Sequence, residues 1–269
     1  MIGSFRWHAR SAALMVCALL AACATPVGAP GEDSRDRVTA SDETDGSKRA
    51  RVRLELAGAY FGRGQLEVAL DQVKLAIQAD ATMSEAFNLR GLIYASLGDD
   101  KLAEESFRRA LQLNSRDADA MQNFGWYLCQ RKRYAEAQAH FEQAIAVPQY
   151  RDTARTLLTQ GVCHMQAGQL EPAERSLLRA YEFDPANIST AFNLADVLYR
   201  RGDYERARFY VRRVNMQSEV STAQSLWLAA RIEHRLGQLN ARQEFGNQLK
   251  RRFPASREAG LFERGSFND

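Results

Sequence analysis

Nothing in these 269 residues is apolar for long enough to cross a bilayer with ease. The most apolar stretch, Ala12 to Ala22, is about half of the ~20 residues that a transmembrane helix requires, so a stable span there is not expected. The equipment of catalysis is missing as well. There is no glycine-rich phosphate loop and no nucleophile elbow. The four histidines, His8, His140, His164 and His234, stand on separate segments, with no motif of metal-ligand spacing among them. These absences point away from an enzyme, a metal site, a cofactor or a small-molecule substrate.

What is present begins with a leader. Arg6, His8 and Arg10 precede the apolar run, the order of a signal peptide. Leu20-Ala21-Ala22-Cys23 resembles the bacterial lipobox, in which a peptidase cuts before a cysteine that carries diacylglycerol. An ordinary signal peptide that happens to contain Cys23 is the alternative. Several acyl chains anchor durably where one does not, at about 0.8 kcal/mol per buried CH2. By the sorting rule of that class, Ala24 after the cysteine implies the inner leaflet of the outer membrane, with the protein facing the periplasm. Loss of Arg6 and Arg10 with residues 1–22 takes the formal net charge from +3 to +1. That leaves no surplus for nucleic acid. Residues 23–49 comprise the cysteine and a stretch of Pro, Gly, Ser, Thr and charge that reads as a flexible linker. Its root-mean-square reach is roughly 25–30 Å.

From residue 50 the chain repeats. Ala69, Ala103, Ala137, Ala173 and Ala207 are spaced 34, 34, 36 and 34 residues apart. Ala76, Ala110, Ala144, Ala180 and Val214 follow seven residues later, and Gly64, Gly98, Gly168 and Gly202 precede them, with Lys132 in the third slot. A 34-residue period with small residues at fixed phases is the signature of the tetratricopeptide repeat (TPR). The expected fold is all-α, a right-handed superhelical solenoid of about six helix pairs, at 50–83, 84–117, 118–153, 154–187, 188–222 and 223–256, with a tail at 257–269. Within each pair, Gly91 or Gly125 on helix A and Ala103 or Ala137 on helix B allow close approach, while Tyr60, Tyr94, Phe107, Phe141 and Leu177 fill the remaining space. The glycines suit the bend between helices, where positive φ costs other residues more. The 36-residue step locates extra residues near Val147-Pro148-Gln149-Tyr150. His164 takes a position where the repeat usually packs Tyr.

Cys129 and Cys163 lie on successive A helices, two helical positions apart in phase. That offset points one toward the groove and the other toward packing, so two separate buried thiols are expected. A disulfide is the alternative that an oxidising compartment permits.

Repeat positions 2, 5, 9, 12 and 13 usually line the inner wall formed by the A helices. They supply Leu54 and Phe61 in the first unit, Asn88 and Leu92 in the second, and Gln122 and Trp126 in the third. Leu158, Val162 and Met165 come from the fourth unit, Phe192, Asp196 and Tyr199 from the fifth, and Trp227 and Arg231 from the sixth. Rings beside amides and arginines are what a polypeptide-binding groove needs. The competing reading is that Trp126, Phe192 and Trp227 fill gaps between helices. The surplus of basic residues after Ala195, including Arg212-Arg213, reads as solvated helix faces.

The lipobox, the polar linker and the six repeats together resemble the type IV pilus biogenesis and stability lipoproteins of the PilF/PilW family. The resemblance is carried by "FNLRGLIYASLGDDKLAEESFRRAL", "NFGWYLCQRKRYAEAQAHFEQAI" and "RRFPASREAG". It implies a pilotin, a monomer that binds the secretin subunit, takes it to the outer membrane and promotes its multimerisation, with pili and twitching motility as the outcome. Other lipoproteins with such repeats, scaffolds for peptidoglycan hydrolases or subunits of the β-barrel assembly machinery, are the rival implication.

Overall fold

Thirteen α-helices and no strand make up the residues described by this computed structural model, 44–216 and 219–267. The leader, Cys23 and the linker up to residue 43 lie outside them. Six antiparallel pairs follow in order. They are α1 (Asp45–Gly62) with α2 (Leu66–Ala79), α3 (Ser84–Leu97) with α4 (Asp100–Leu113), and α5 (Ala118–Gln130) with α6 (Tyr134–Ala146). Next come α7 (Thr153–Gln166) with α8 (Leu170–Phe183), α9 (Ile188–Arg200) with α10 (Tyr204–Asn215), and α11 (Ala223–Arg235) with α12 (Leu239–Arg252). A last short helix, α13 (Arg257–Glu263), lies in what the sequence presents as a tail. The first helix starts at Asp45, five residues ahead of the expected boundary. Thr44 caps it, its hydroxyl accepting from Ser47 N at 3.0 Å.

Local chemistry explains the punctuation. Between helices A and B the chain turns through positive φ at Gly64, Gly98, Gly168, Gly202 and Gly237, and at Lys132 in the third pair (φ 61°). Lysine there carries the left-handed strain that glycine avoids. Between pairs, Asp117 and Asn187 cap the incoming helices, their side chains accepting from Ala120 N at 2.9 Å and Thr190 N at 3.0 Å. The extra residues of the long step form the α6–α7 connection, with Gln149 at φ 62°.

A volume exchange sixteen residues apart holds each of the first five pairs together. Phe107 lies where a Cβ on Gly91 would come within 2.8 Å, Phe141 does the same at Gly125 (2.9 Å), and Leu177 at Gly161 (2.6 Å). Where helix A carries Ala57 or Ala195 instead, the residue sixteen later is the smaller Val73 or Val211, in the same apolar cluster. A large knob on helix B thus demands a notch on helix A, which is why these glycines cannot become alanine without moving a ring.

Successive A helices (α1, α3, α5, α7, α9, α11) approach one another along the stack, whereas successive B helices do not. A stack closer on one side than the other curves toward the close side. The A helices therefore form the concave wall of a right-handed TPR solenoid. Among the described residues no helix is long and apolar enough to cross a membrane.

Candidate functional site on the concave wall

The middle of the wall holds a shallow, open concavity. Gln122 and Trp126 from α5, Leu158, Thr159 and Val162 from α7, and Asn193 from α9 enclose a depression of about 240 Å³. Four of these six are residues that the repeat register placed on the wall. Thr159 and Asn193 were not among them; both stand at repeat position 6, one residue past a position that was used. The amide of Asn193, repeated at the same position by Asn123, was the available signal. Trp126, Leu158 and Val162 are half-buried, and Trp126 and Leu158 rest on the core beneath. Gln122 is 6% exposed, and its Oε1 has no hydrogen-bond partner.

A second depression of similar size adjoins the first and shares Asn193, with Phe192, Ile188 and Val220 among its lining. Farther along, Arg231 lays its guanidinium 4.6 Å from the Tyr199 ring, and Asp196 pairs with Arg200 at 2.8 Å. Toward the other end, Asn123 donates to Asn88 Oδ1 at 3.2 Å, and Leu92 packs against the same cluster as Trp126. Leu54 and Phe61 pack on the apolar cluster of the first pair.

Two expected wall residues belong to the interior. Met165 is buried in the core between the fourth and fifth pairs. Position 12 lies about 60° around the helix from position 9, which turns it toward the neighbouring A helix. Trp227 is 8% exposed because the chain covers it with its own C-terminal segment. Phe267 lies 5.3 Å from the indole and stacks on His234 at 4.4 Å, and Phe262 meets the indole edge-on at 6.5 Å. The ring of Phe262 occupies the space over Gly246 of α12 that any side chain there would fill. The sixth pair is sealed by α13 and the residues after it.

The cysteines correct a further expectation. Cys129 and Cys163 form a disulfide between α5 and α7, with Cα atoms 5.9 Å apart. Two helical positions amount to about 200° of rotation. Helices related by one step along the stack meet through opposite faces, so that offset is what brings the two sulfurs together. The bridge ties the two helices that carry Trp126, Leu158 and Val162.

Several basic residues after Ala195 are more than solvated charge. Glu174, 6% exposed, accepts from Arg201 and, at 2.8 Å, Arg206; Glu233, 1% exposed, takes Arg212 at 2.7 Å. Buried carboxylates at the joints of the later pairs are neutralised in this way. Burial holds His140, His164 and His234 each below the usual 6.5. Among the described residues no three His, Cys, Asp or Glu gather as metal ligands.

Two models of the family described as "Tetratricopeptide repeat" match residues 82–149 and 123–188. The type IV pilus assembly protein PilF of Pseudomonas aeruginosa is 28% identical over 219 residues, covering 81% of this chain and 86% of that protein. A solved structure of PilW, described as a widely conserved type IV pilus biogenesis factor, is 30% identical with a TM-score of 0.73, covering 79% of this chain and 97% of that one. A structure of Pseudomonas aeruginosa PilF is 26% identical with a TM-score of 0.73, covering 82% and 100%. These relatives are named for assembly and biogenesis, not for a reaction. Agreement over the whole repeat array of both solved relatives places this chain in the PilF/PilW family of TPR proteins of type IV pilus biogenesis.

Proposed function

We propose that this protein is a pilotin: a lipoprotein of the outer membrane, anchored through Cys23 and facing the periplasm, that binds the secretin subunit of the type IV pilus and promotes its localisation and multimerisation. The observation that carries the reading is the match of the complete six-pair array to type IV pilus biogenesis factors, in a chain that also bears Leu20-Ala21-Ala22-Cys23. Two features of the wall support it. The Trp126 depression and its Phe192 neighbour offer apolar anchoring beside amides, as polypeptide recognition requires. The Cys129–Cys163 bridge suits an oxidising compartment such as the periplasm.

The mechanism is physical. Acyl chains supply the destination, the concave wall supplies the grip, and no bond in the partner is made or broken, so neither cofactor nor metal is needed. Replacing Cys23 with Ala tests this directly. Fractionation is expected to find a soluble periplasmic protein, with secretin multimers reduced or misplaced. A variant that stays in the outer membrane contradicts lipid anchoring. Affinity capture of the wild-type protein from solubilised envelope is expected to bring down secretin; capture of hydrolases or barrel-assembly subunits in its place contradicts the assignment.

A further inference from the structure

The repeat register sets one side chain apart. At the position of Arg90 the first, third, fourth and fifth pairs carry Leu56, Phe124, Gln160 and Leu194, all uncharged. Arg90 is half-buried, and its Nε donates to Oγ of the buried Ser106 at 2.9 Å. The fourth pair makes the corresponding bond without a charge, Ser176 donating to Gln160 Oε1, also at 2.9 Å. Packing at this position therefore needs no cation, and the charge of Arg90 is surplus to the fold.

Phe87 and Arg90 of α3 lie at the foot of a groove of about 630 Å³, walled by Lys101, Glu105, Arg108 and Arg109 on one face of α4. The guanidinium groups of Arg90 and Arg109 both lie against the Phe87 ring, 4.8 and 5.8 Å from its centre. Arg108 is paired with Glu104. Among the described residues, Arg90, Lys101 and Arg109 form no ion pair, and the terminal nitrogens of Arg90 have no hydrogen-bond partner. Other arginines of the array have found carboxylates, as Arg155 has Asp119, Arg206 has Glu174 and Arg212 has Glu233. Glu105 is the one acid in the lining, one helical turn from both Lys101 and Arg109, and it faces four cations. Gathered like charges repel until an anion joins them.

We propose that this groove binds a phosphate group, held by Arg90, Lys101 and Arg109. A phosphate monoester carries close to two negative charges and three acceptor oxygens, so it serves several cations at once, whereas a carboxylate brings a single charge. Guanidinium forks match its oxygens two at a time. The volume leaves room for the body that bears the phosphate, and a phospholipid headgroup and a soluble phosphate present the same chemistry. No lining residue is shared with the Trp126 depression, so the site is independent of the partner held by the concave wall.

The test titrates inorganic phosphate, at low ionic strength, into the full chain carrying Cys23→Ala, so that no acyl group contributes. Spectra (1H–15N) of the arginine Nε–H groups and backbone amides follow it. The Arg90 Nε–H and the α4 amides are expected to shift saturably, with Kd of about 1 mM. Arg90→Gln is expected to bind about tenfold more weakly, the effect of one charge-assisted hydrogen bond. Its Tm is expected to hold, because Gln160 and Ser176 already show the neutral pairing. Arg109→Gln, on the exposed face of α4, gives the same loss without touching the core. The corresponding groove of the fourth pair is the internal control and stays unmoved: Gln160 stands in place of the arginine, and Arg175 and Arg179 share the lining with Glu142. No saturable shift up to about 20 mM phosphate, undiminished binding by both variants, or an equal response in the fourth-pair groove each overturns the proposal. Acetate binding as tightly as phosphate overturns it too, and assigns the groove to acidic protein segments. Vesicles of phosphatidylglycerol then separate the sources. Retention that Arg90→Gln abolishes supports a lipid headgroup, and phosphate binding without retention supports a soluble phosphate.

Discussion

Two tryptophans, placed on the same wall by the same repeat register, have opposite fates. Trp126, in the third pair, is half-buried and floors an open depression. Trp227, in the sixth, is closed off by Phe262 and Phe267 from the chain's own end. Register sets the direction in which a side chain leaves its helix, and what lies in that direction decides its role. In mid-array the next A helix lies alongside and the groove stays open. At the sixth pair the face that a next pair would occupy is covered instead by α13 and Phe267. The chain supplies α13 as the cover, so an aromatic residue that faces outward in the middle is covered at the end.

The contrast can be broken from either side. Trp227→Ala is expected to cost about 3–5 kcal/mol of stability, as for a large core truncation, and to leave secretin affinity unchanged; denaturant unfolding and a binding assay read the two effects. Gly246→Leu attacks the seal from below. A side chain at 246 takes the place of the Phe262 ring, so α13 lifts away at about 3 kcal/mol or more, and Trp227 emission shifts to the red. In the middle of the wall, Cys129→Ala with Cys163→Ala frees α5 from α7. Removing a bridge across 34 residues is expected to cost about 2–4 kcal/mol; reduction of the wild-type protein lowers Tm in the same way.

Replacing Trp126 and Phe192 with Ala is expected to reverse the Trp227 result. Each costs about 1–3 kcal/mol of partner affinity, seen by calorimetry, with a smaller change in Tm than Trp227→Ala produces. Lys132→Gly serves as a control at the A–B turn, outside the residues that line either tryptophan site. It relieves positive φ at the only A–B turn among the six without glycine, for a gain of about 0.5–1 kcal/mol in chemical denaturation and no change in binding.

The repeat itself could be read directly, because each unit must solve the same packing problem. The turn glycines, the alanines of helix B and the notches at Gly91, Gly125 and Gly161 recur for that reason. Gln122, Trp126, Leu158 and Val162 were legible on the wall through the same register. What could not be read depended on segments outside the period. Nothing periodic announces that Phe262 and Phe267 return to cover Trp227, since α13 occurs once. Taken helix by helix the two cysteines point apart, yet an offset of about 200° brings them into contact once the helices are stacked. Met165 was placed on the groove by an averaged position rule, which its neighbours in the core override.

The central claim is that the open middle of the concave wall, and not its sealed end, grips the partner. Fluorine NMR of protein labelled with 5-fluorotryptophan tests it without altering the wall, since Trp126 and Trp227 give separate resonances. On titration with the periplasmic region of the secretin, the Trp126 signal is expected to move saturably while that of Trp227 stays in place. A complex that forms with the Trp126 resonance unmoved would contradict the account.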